Sequence, residues 1–286
     1  MSNLATTFWK GGKLDEAEIL DQEVLKIRRE AFGSNHPDTI NAMSNLTATF
    51  WKGEKLDKAK NLGEEVLRIR QEAFGSSHPN TMNAMSNLAA TYRNSGKLDA
   101  AENLEQEVLR IIKDTFGKSH PDTINAMSNL AATFWKGGKL DEAEILDQEV
   151  LKFRRETFGS NHPHTIQAMA NLAATCRNSG KLDEAKNLQQ EVLRMRKEVF
   201  GSSHPDTINA MANLAATFRK EGQLDEAESL WQEVLRIRRE VFGSNHPDTI
   251  NAMYNLSATY RNHGKLDEAK NLNQEVLRIR REAFEM

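Results

Sequence analysis

Residues 78–119 read HPNTMNAMSNLAATYRNSGKLDAAENLEQEVLRIIKDTFGKS, and close variants of this 42-residue stretch recur along the whole chain. The dipeptide His-Pro marks the copies, which begin at His36, His78, His120, His162, His204 and His246. A fixed period of this length is typical of a solenoid, in which one supersecondary unit stacks on the next. The sequence therefore predicts one superhelix over residues 1–286 with seven units, the first lacking its opening residues: approximately 1–35, 36–77, 78–119, 120–161, 162–203, 204–245 and 246–286.

Each unit contains two amphipathic helical patterns and no strand pattern. In the second unit we expect a first helix over about 38–52 and a second helix from Leu56 to Phe74. We refer to the two helices of every unit as helix A and helix B. Pro37 suits the first turn of helix A, and Gly75 suits the end of helix B. The predicted fold is all-α, a right-handed α-solenoid of seven tandem helix-turn-helix units.

Composition and charge exclude several classes of partner. The chain has 41 acidic and 38 basic residues, so its net charge of −3 gives no field that favours nucleic acid or an anionic membrane. No apolar stretch approaches the ~20 residues of a transmembrane helix, and the amino terminus has no signal-peptide pattern. The single cysteine, Cys176, cannot form an internal disulfide, which is typical of a reducing compartment. We therefore expect a cytoplasmic protein with no nucleic-acid and no membrane partner.

The residues that could carry catalysis or bind a metal occur one per repeat instead of converging. Metal sites need converging ligands, so we expect the histidines of the His-Pro loops to cap helices or pack loops. The methionines at one repeated place in helix A are predicted to fill the core, and Cys176 to be a small buried hydrophobe. These methionines are Met1, Met43, Met85, Met127, Met169, Met211 and Met253. We predict no catalytic residue, no metal site and no cofactor.

Asparagines repeat on one face of helix A. Counting Leu88 as position 7 of its unit, Asn occupies position 6 in all seven copies and position 2 in five of them. The two positions are one turn apart, and Asn is unfavourable inside a helix, so the repetition needs a reason. One hypothesis is hydrogen bonding between repeats; the other is a ladder of amides facing an extended peptide backbone. The candidates are Asn41, Asn45, Asn83, Asn87, Asn125, Asn129, Asn171, Asn209, Asn213, Asn251 and Asn255.

Position 12 differs between copies while its surroundings stay constant. It is Trp or Arg, two residue types that are frequent at binding hot spots, although drift of an exposed surface would give the same variation. The residues are Trp9, Trp51, Arg93, Trp135, Arg177, Arg219 and Arg261. Tyr254 replaces Ser or Ala at position 5 of the last copy and is a further candidate contact. We expect this row to select ligand side chains.

The positions within the unit carry a family resemblance. Leu88, Ala89 and Tyr92 give Leu-Ala-x-x-Tyr, which is followed by Gly-Lys-Leu-Asp-x-Ala-Glu from Gly96. This pattern resembles a tetratricopeptide repeat (TPR), in the longer 42-residue form of kinesin light chains and of the repeat regions of some STAND-type ATPases. Position 24, usually aromatic in the family, departs from it in being Glu105 here. The resemblance implies that helix A lines a concave groove and that Asn at position 6 contacts a bound peptide.

The predicted function is a non-enzymatic scaffold that holds an extended segment of a protein or linear peptide, with acidic or aromatic side chains preferred. The alternative is a structural or sensing module of a larger STAND-type regulatory protein that self-associates through its ends. The alternative rests on an apolar stripe of the last helix B whose outward part we expect to be uncovered. The stripe consists of Leu266, Ala269, Leu272, Val276 and Ile279.

Overall fold

The computed structural model describes residues 2–284 of the chain and the side chains of residues 4–282. Met1, predicted to be a core residue, lies outside the described residues. The described chain contains fourteen α-helices, no strand, and no helix with the length and apolar composition needed to cross a membrane. The helices are α1 (Ser2–Lys10), α2 (Leu14–Phe32), α3 (Pro37–Lys52), α4 (Leu56–Phe74), α5 (Pro79–Asn94), α6 (Leu98–Phe116), α7 (Pro121–Lys136), α8 (Leu140–Phe158), α9 (Pro163–Asn178), α10 (Leu182–Phe200), α11 (Pro205–Glu221), α12 (Leu224–Phe242), α13 (Pro247–Asn262) and α14 (Leu266–Phe284).

The helices stack in sequence order within each of two compact units. The first compact unit ends at Lys139 and the second begins at Leu140. We call these two parts the first unit and the second unit, and we call each 42-residue copy a repeat. Within the first unit, each helix from α1 to α6 packs against the helix that follows it, and α8 to α13 do the same in the second unit. Odd-numbered helices are the A helices and even-numbered helices are the B helices. This stacking confirms the predicted all-α solenoid of helical hairpins, while one superhelix over residues 1–286 stays a prediction.

The His-Pro loop joins each helix B to the next helix A. In one example, the ring of Phe200 stacks on that of His204 with 4.7 Å between centroids. Nδ1 of His204 accepts a hydrogen bond of 3.2 Å from the backbone N–H of Asp206, and Pro205 begins the helix. Gly201 has a φ of 83°, which a residue with a Cβ rarely adopts. All six histidines of these loops accept the same bond, which confirms their predicted capping role.

Two further contacts lock helix B to the next helix A. The buried Thr207 donates through Oγ1 to the carbonyl of Arg196 at 3.3 Å. Arg196 in turn donates through Nη1 to the carbonyl of Asp206 at 2.9 Å, in the first turn of α11. The arginine contact recurs ten residues before its acceptor in five places, namely at Arg28, Arg70, Arg154, Arg196 and Arg238. At the remaining one of the six junctions the same place is the buried, apolar Ile112.

Within each unit the core lies between the A and B helices. Met43, Met85, Met169, Met211 and Met253 have no exposed surface, and Met127 is 7% exposed. Cys176 is also fully buried, so the predictions for both residue types are confirmed.

The apolar stripe of α14 is mostly covered, contrary to the sequence-based expectation. Ala269, Val276 and Ile279 are buried in the α13–α14 hairpin, because they turn toward their own helix A. Leu266, which is 65% exposed, is the member of the stripe that lies in solvent, and Leu277 outside the stripe is 55% exposed.

The capping histidine predicts a stability effect. We expect His204→Ala to lower the free energy of unfolding by about 1 kcal/mol, because the N–H of Asp206 loses its acceptor and Phe200 loses its stacking partner. His204→Asn restores a capping acceptor and should recover most of the loss. Ser203→Ala, at an exposed neighbouring residue, is the control. Chemical denaturation measures the free energy of unfolding of all three variants. An unchanged unfolding midpoint for His204→Ala would contradict the capping role.

Candidate functional site

The candidate asparagines lie in pairs on one exposed face of the A helices. Each of α3, α5, α7, α11 and α13 carries two of them, and α9 carries Asn171 with Gln167 in place of the second. All of them are exposed except Asn255, which is half-buried. The structure therefore places the predicted amide pairs at the surface of successive repeats within each unit.

The two units use these amides differently. In the first unit, no hydrogen bond to the side chain of Asn41, Asn45, Asn83, Asn87, Asn125 or Asn129 is formed by the described residues. In the second unit, Asn209 Oδ1 accepts from Arg238 at 3.2 Å and Asn171 Oδ1 accepts from Gln167 at 2.8 Å. Asn255 donates to Asn251 at 2.6 Å.

A hydroxyl explains part of this difference. Arg70 donates through Nη2 to Ser44 Oγ at 3.3 Å, and Ser44 stands at position 5 of its repeat. In the second unit the equivalent Arg238 has Ala212 at position 5 of its own repeat, and its Nη2 donates to the position-2 amide oxygen of Asn209 instead. The Arg238–Asn209 bond lies within one repeat. Hydrogen bonding between repeats, the first of the two hypotheses, is seen in the second unit where Arg177 Nη1 donates to Asn213 Oδ1 at 3.5 Å.

The position-12 row is heterogeneous. Trp51 and Trp135 are 44% and 39% exposed, Arg261 is exposed, and Arg177 and Arg219 are half-buried. Arg93 is occupied within the array: its Nη1 lies 3.0 Å from Glu105 Oε1 and 3.0 Å from the carbonyl of Asn129. Tyr254 is 40% exposed, with the guanidinium of Arg280 5.5 Å from its ring centroid.

The sequence analysis missed a set of buried side chains on the B helices, which are polar except for one tryptophan. These floor residues stand at position 24 of their repeats and are 3–6% exposed: Asp21, Glu105, Asp147, Gln189 and Trp231. Asp21 and Gln189 each line a cavity between successive A helices. The departure of Glu105 from the aromatic residue of the family was the one available signal.

Burial sets the electrostatics of the acidic floor residues. It raises the pKa of Asp21, Glu105 and Asp147, and hydrogen bonds offset only part of the effect. Thr49 Oγ1 donates to Asp21 and Thr175 Oγ1 donates to Asp147, each at 2.7 Å. Of these three acids, Glu105 alone has a cationic partner among the described residues, namely Arg93.

One group of side chains in the second unit has the composition of a metal site. Ligand atoms of Glu144, Cys176 and Glu184 lie within 4.8 Å of one another. Lys181 Nζ, however, donates to Glu144 Oε1 at 2.5 Å and supplies the positive charge. Burial raises the pKa of Cys176 to about 12, so the thiol keeps its proton at neutral pH and is a poor ligand. This arrangement is better explained as packing of the α8–α9–α10 core.

Comparison with protein families identifies the class. The profile of the tetratricopeptide repeat family matches residues 1–72, 54–114, 80–156, 122–198, 165–230 and 206–282. The chain therefore belongs to the tetratricopeptide repeat family. Comparison with curated proteins gives no match.

Solved structures place the chain within this class. It is similar to the nearly identical TPR-like repeats of a Podosopora anserina protein described as a kinesin light chain, with a TM-score of 0.65 and 26% identity over 72% of this chain and 98% of that one. BtubC (BKLC) from P. vanneervenii has a TM-score of 0.64 and 21% identity over 81% and 91% of the two chains. The apo form of RapI has a TM-score of 0.67 and 11% identity over 100% and 98%. The last two show the fold alone, and the resemblance to kinesin-light-chain-like repeats is confirmed.

The buried carboxyl of Asp147 predicts a pH-dependent stability. Because its folded pKa lies above the ordinary value of 3.8, the folded protein binds more protons than the unfolded chain between the two values. The contribution of Asp147 is therefore fully present below 3.8 and is lost as the pH rises through the folded pKa. We expect Asp147→Asn to unfold at higher denaturant concentration than the unsubstituted protein at neutral pH, with the difference shrinking as the pH falls toward 3.8.

The matched control is Glu149→Gln, which removes an exposed charge from the same helix. Urea denaturation between neutral pH and pH 3.8 measures the unfolding midpoint of both variants. If Asp147→Asn destabilises the protein at neutral pH, or if its effect does not change with pH, the carboxylate is stabilised by its surroundings and the assignment is wrong.

Proposed function

We propose that this chain is a non-enzymatic scaffold that binds an extended segment of a protein or peptide along the exposed face of its A helices. The observation that carries the proposal is the pairing of exposed Asn side chains one turn apart on successive A helices. In the first unit these amides form no hydrogen bond with the described residues.

The chemistry of the amide suits this role. An Asn side chain offers one acceptor and two donor hydrogens, and an extended backbone presents one N–H and one C=O at each residue. A ladder of such amides recognises the backbone and leaves the ligand sequence to be read by other groups. The first unit supports this role more strongly than the second, where Asn209 and Asn255 already have internal partners.

The position-12 row is the proposed selectivity element. Exposed Trp51 and Trp135 offer apolar and aromatic contact area, while Arg219 and Arg261 offer a positive charge to acidic side chains. We exclude Arg93 from this set because it is paired with the buried Glu105. The proposed ligand of the second unit is therefore acidic, and that of the first unit includes aromatic residues.

We also propose a cytoplasmic location, on the evidence of the lone reduced cysteine. The alternative function, a self-associating module of a larger regulatory protein, is favoured by one observation. Leu266 and Leu277 on α14 are large apolar residues that remain more than half exposed.

The asparagine ladder can be separated from a stabilising role by comparing the two units. We expect Asn87→Ala and Asn129→Ala to leave the unfolding midpoint unchanged, because neither amide has a partner to lose. Each should weaken binding of a peptide selected from a random display library by about 0.5–1.5 kcal/mol, up to roughly tenfold. Fluorescence polarisation with the labelled peptide measures the affinity.

Asn209→Ala is the matched control, because it leaves Nη2 of Arg238 without its acceptor and should lower stability. Normal peptide affinity of Asn87→Ala and Asn129→Ala together would show that the ladder does not bind the backbone.

The arginine row predicts a dependence on charge and salt. We expect Arg219→Ala and Arg261→Ala each to lower the affinity for an acidic peptide by about twofold to fivefold, since exposed ion pairs contribute about 0.2–1 kcal/mol. Added salt should lower the affinity of the unsubstituted protein for the acidic peptide more than it lowers the affinity of either variant. Arg278→Ala removes the same charge from helix B and serves as the control. An affinity that is insensitive to salt would contradict selection by these arginines.

A further inference from the structure

A cavity of about 200 Å³ opens between the first two A helices. Trp9 from α1 forms one wall, Asn45 and Thr49 from α3 form another, and Asp21 from α2 forms the floor. We call this space the Asp21 cleft. It lies on the face that carries the asparagine ladder, because Asn45 belongs to both.

Asp21 is a buried carboxyl group with one protein hydrogen bond. Its residue is 6% exposed, and Thr49 is the only described residue that donates to it, through a 2.7 Å bond to Oδ2. No Lys, Arg or His side chain among the described residues lies within ion-pair distance of it. Burial is the main cause that raises its pKa, and no neighbouring cation lowers it.

The other acid on this face of α2 behaves differently. Glu18 forms ion pairs with Lys55 at 2.5 Å and with Lys58 at 3.3 Å, and its pKa is lowered, first by the bond to Lys55. The positive side chains of this region are therefore drawn to Glu18, and the carboxyl of Asp21 remains uncompensated. A buried carboxylate without a partner is costly, so any cation that reaches it gains strongly.

The same molecule shows which group fits beside an acid at this place. Glu105 stands at the repeat position of Asp21, and its partner Arg93 stands at the repeat position of Trp9. The guanidinium of Arg93 bonds Glu105 Oε1 at 3.0 Å and also reaches Thr133 Oγ1, the equivalent of Thr49, at 3.3 Å. In the first repeat Trp9 cannot supply that charge.

The indole N–H of Trp9 also lacks a hydrogen-bond partner. The indole Nε1 is buried and forms no hydrogen bond with the described residues. Lys52 Nζ lies over the face of the ring, 3.9 Å from its centroid. The Asp21 cleft thus combines a buried acceptor, an aromatic wall and an exposed backbone-binding amide at its edge.

We propose that the Asp21 cleft binds the cationic side chain, Arg or Lys, of the segment held by the scaffold, in the way that Arg93 binds Glu105 within the chain. The inference rests on the proposed function and adds one feature of the ligand to it. Asn45 holds the ligand backbone at the edge of the cleft, and the ligand side chain reaches Asp21 on the floor.

The first experiment uses a small cation and does not require a peptide. Methylguanidinium is titrated into the ¹⁵N-labelled protein, with methylurea as its neutral counterpart of similar shape. The chain has four tryptophans, so the Trp9 indole N–H is resolved and assigned with Trp9→Phe. The side-chain amide of Asn45 is the second reporter. We expect saturable shifts of both signals with methylguanidinium and none with methylurea.

Variants connect the shifts to the carboxyl group. Asp21→Asn should lower the affinity for methylguanidinium at least tenfold, because a charge-assisted hydrogen bond is lost. Trp9→Arg should abolish the response of Asn45, because the new arginine occupies Asp21 as Arg93 occupies Glu105. Asp15→Asn removes an exposed charge from the same helix, and Ile19→Arg adds a charge at an exposed site; both should bind as the unsubstituted protein does.

Equal shifts with methylurea, or unchanged affinity of Asp21→Asn for methylguanidinium, would overturn the inference. Peptide display distinguishes this failure from failure of the proposed function. Peptides selected on the unsubstituted protein should contain Arg or Lys, and those selected on folded Asp21→Asn should lose that requirement. Peptides that bind with no cationic residue would overturn the inference alone, whereas methylguanidinium binding without any selected peptide would overturn the scaffold function alone.

Discussion

The junction between each helix B and the next helix A is the contact on which the array depends. In a solenoid each repeat contacts mainly its neighbouring repeats, so a change in the packing angle at one helix junction shifts all the repeats that follow. Here the junction is fixed at three points, illustrated by the Phe200–His204 stack, the cap on Asp206 and the buried Thr207 hydroxyl. With helix A held in this way, the asparagines of successive repeats can face one ligand.

Local chemistry explains which features could be predicted from the sequence. The bounds of α4, the burial of Met169 and the capping by His204 follow from periodicity and from residues a few positions apart. The partners of Arg238 and Asp21 could not be predicted, because they depend on how neighbouring helices pack against one another. The placement of the asparagines on an exposed face was predictable, but their different hydrogen bonding in the two units was not.

The floor residues show a conflict between stability and recognition. Burying Asp21 or Asp147 disfavours the ionised carboxylate, and an aromatic residue such as Trp231 at the same repeat position fills the space without that penalty. Glu105 resolves the conflict within the chain by pairing with Arg93. A floor acid without such a partner is a local weakness of the fold, and a cationic ligand group removes the weakness when it binds.

Small changes beside the asparagines give near-identical repeats different exposed faces. Ser44 accepts the second nitrogen of Arg70, so the amide of Asn41 stays available to a ligand. Where Ala212 replaces the serine, Arg238 takes the amide of Asn209. One hydroxyl at position 5 thus decides whether the amide three residues earlier is bonded within the array or stays available for the ligand that we propose. Because the arginine holds the helix junction in both cases, the ligand face can change while the stacking contacts are kept.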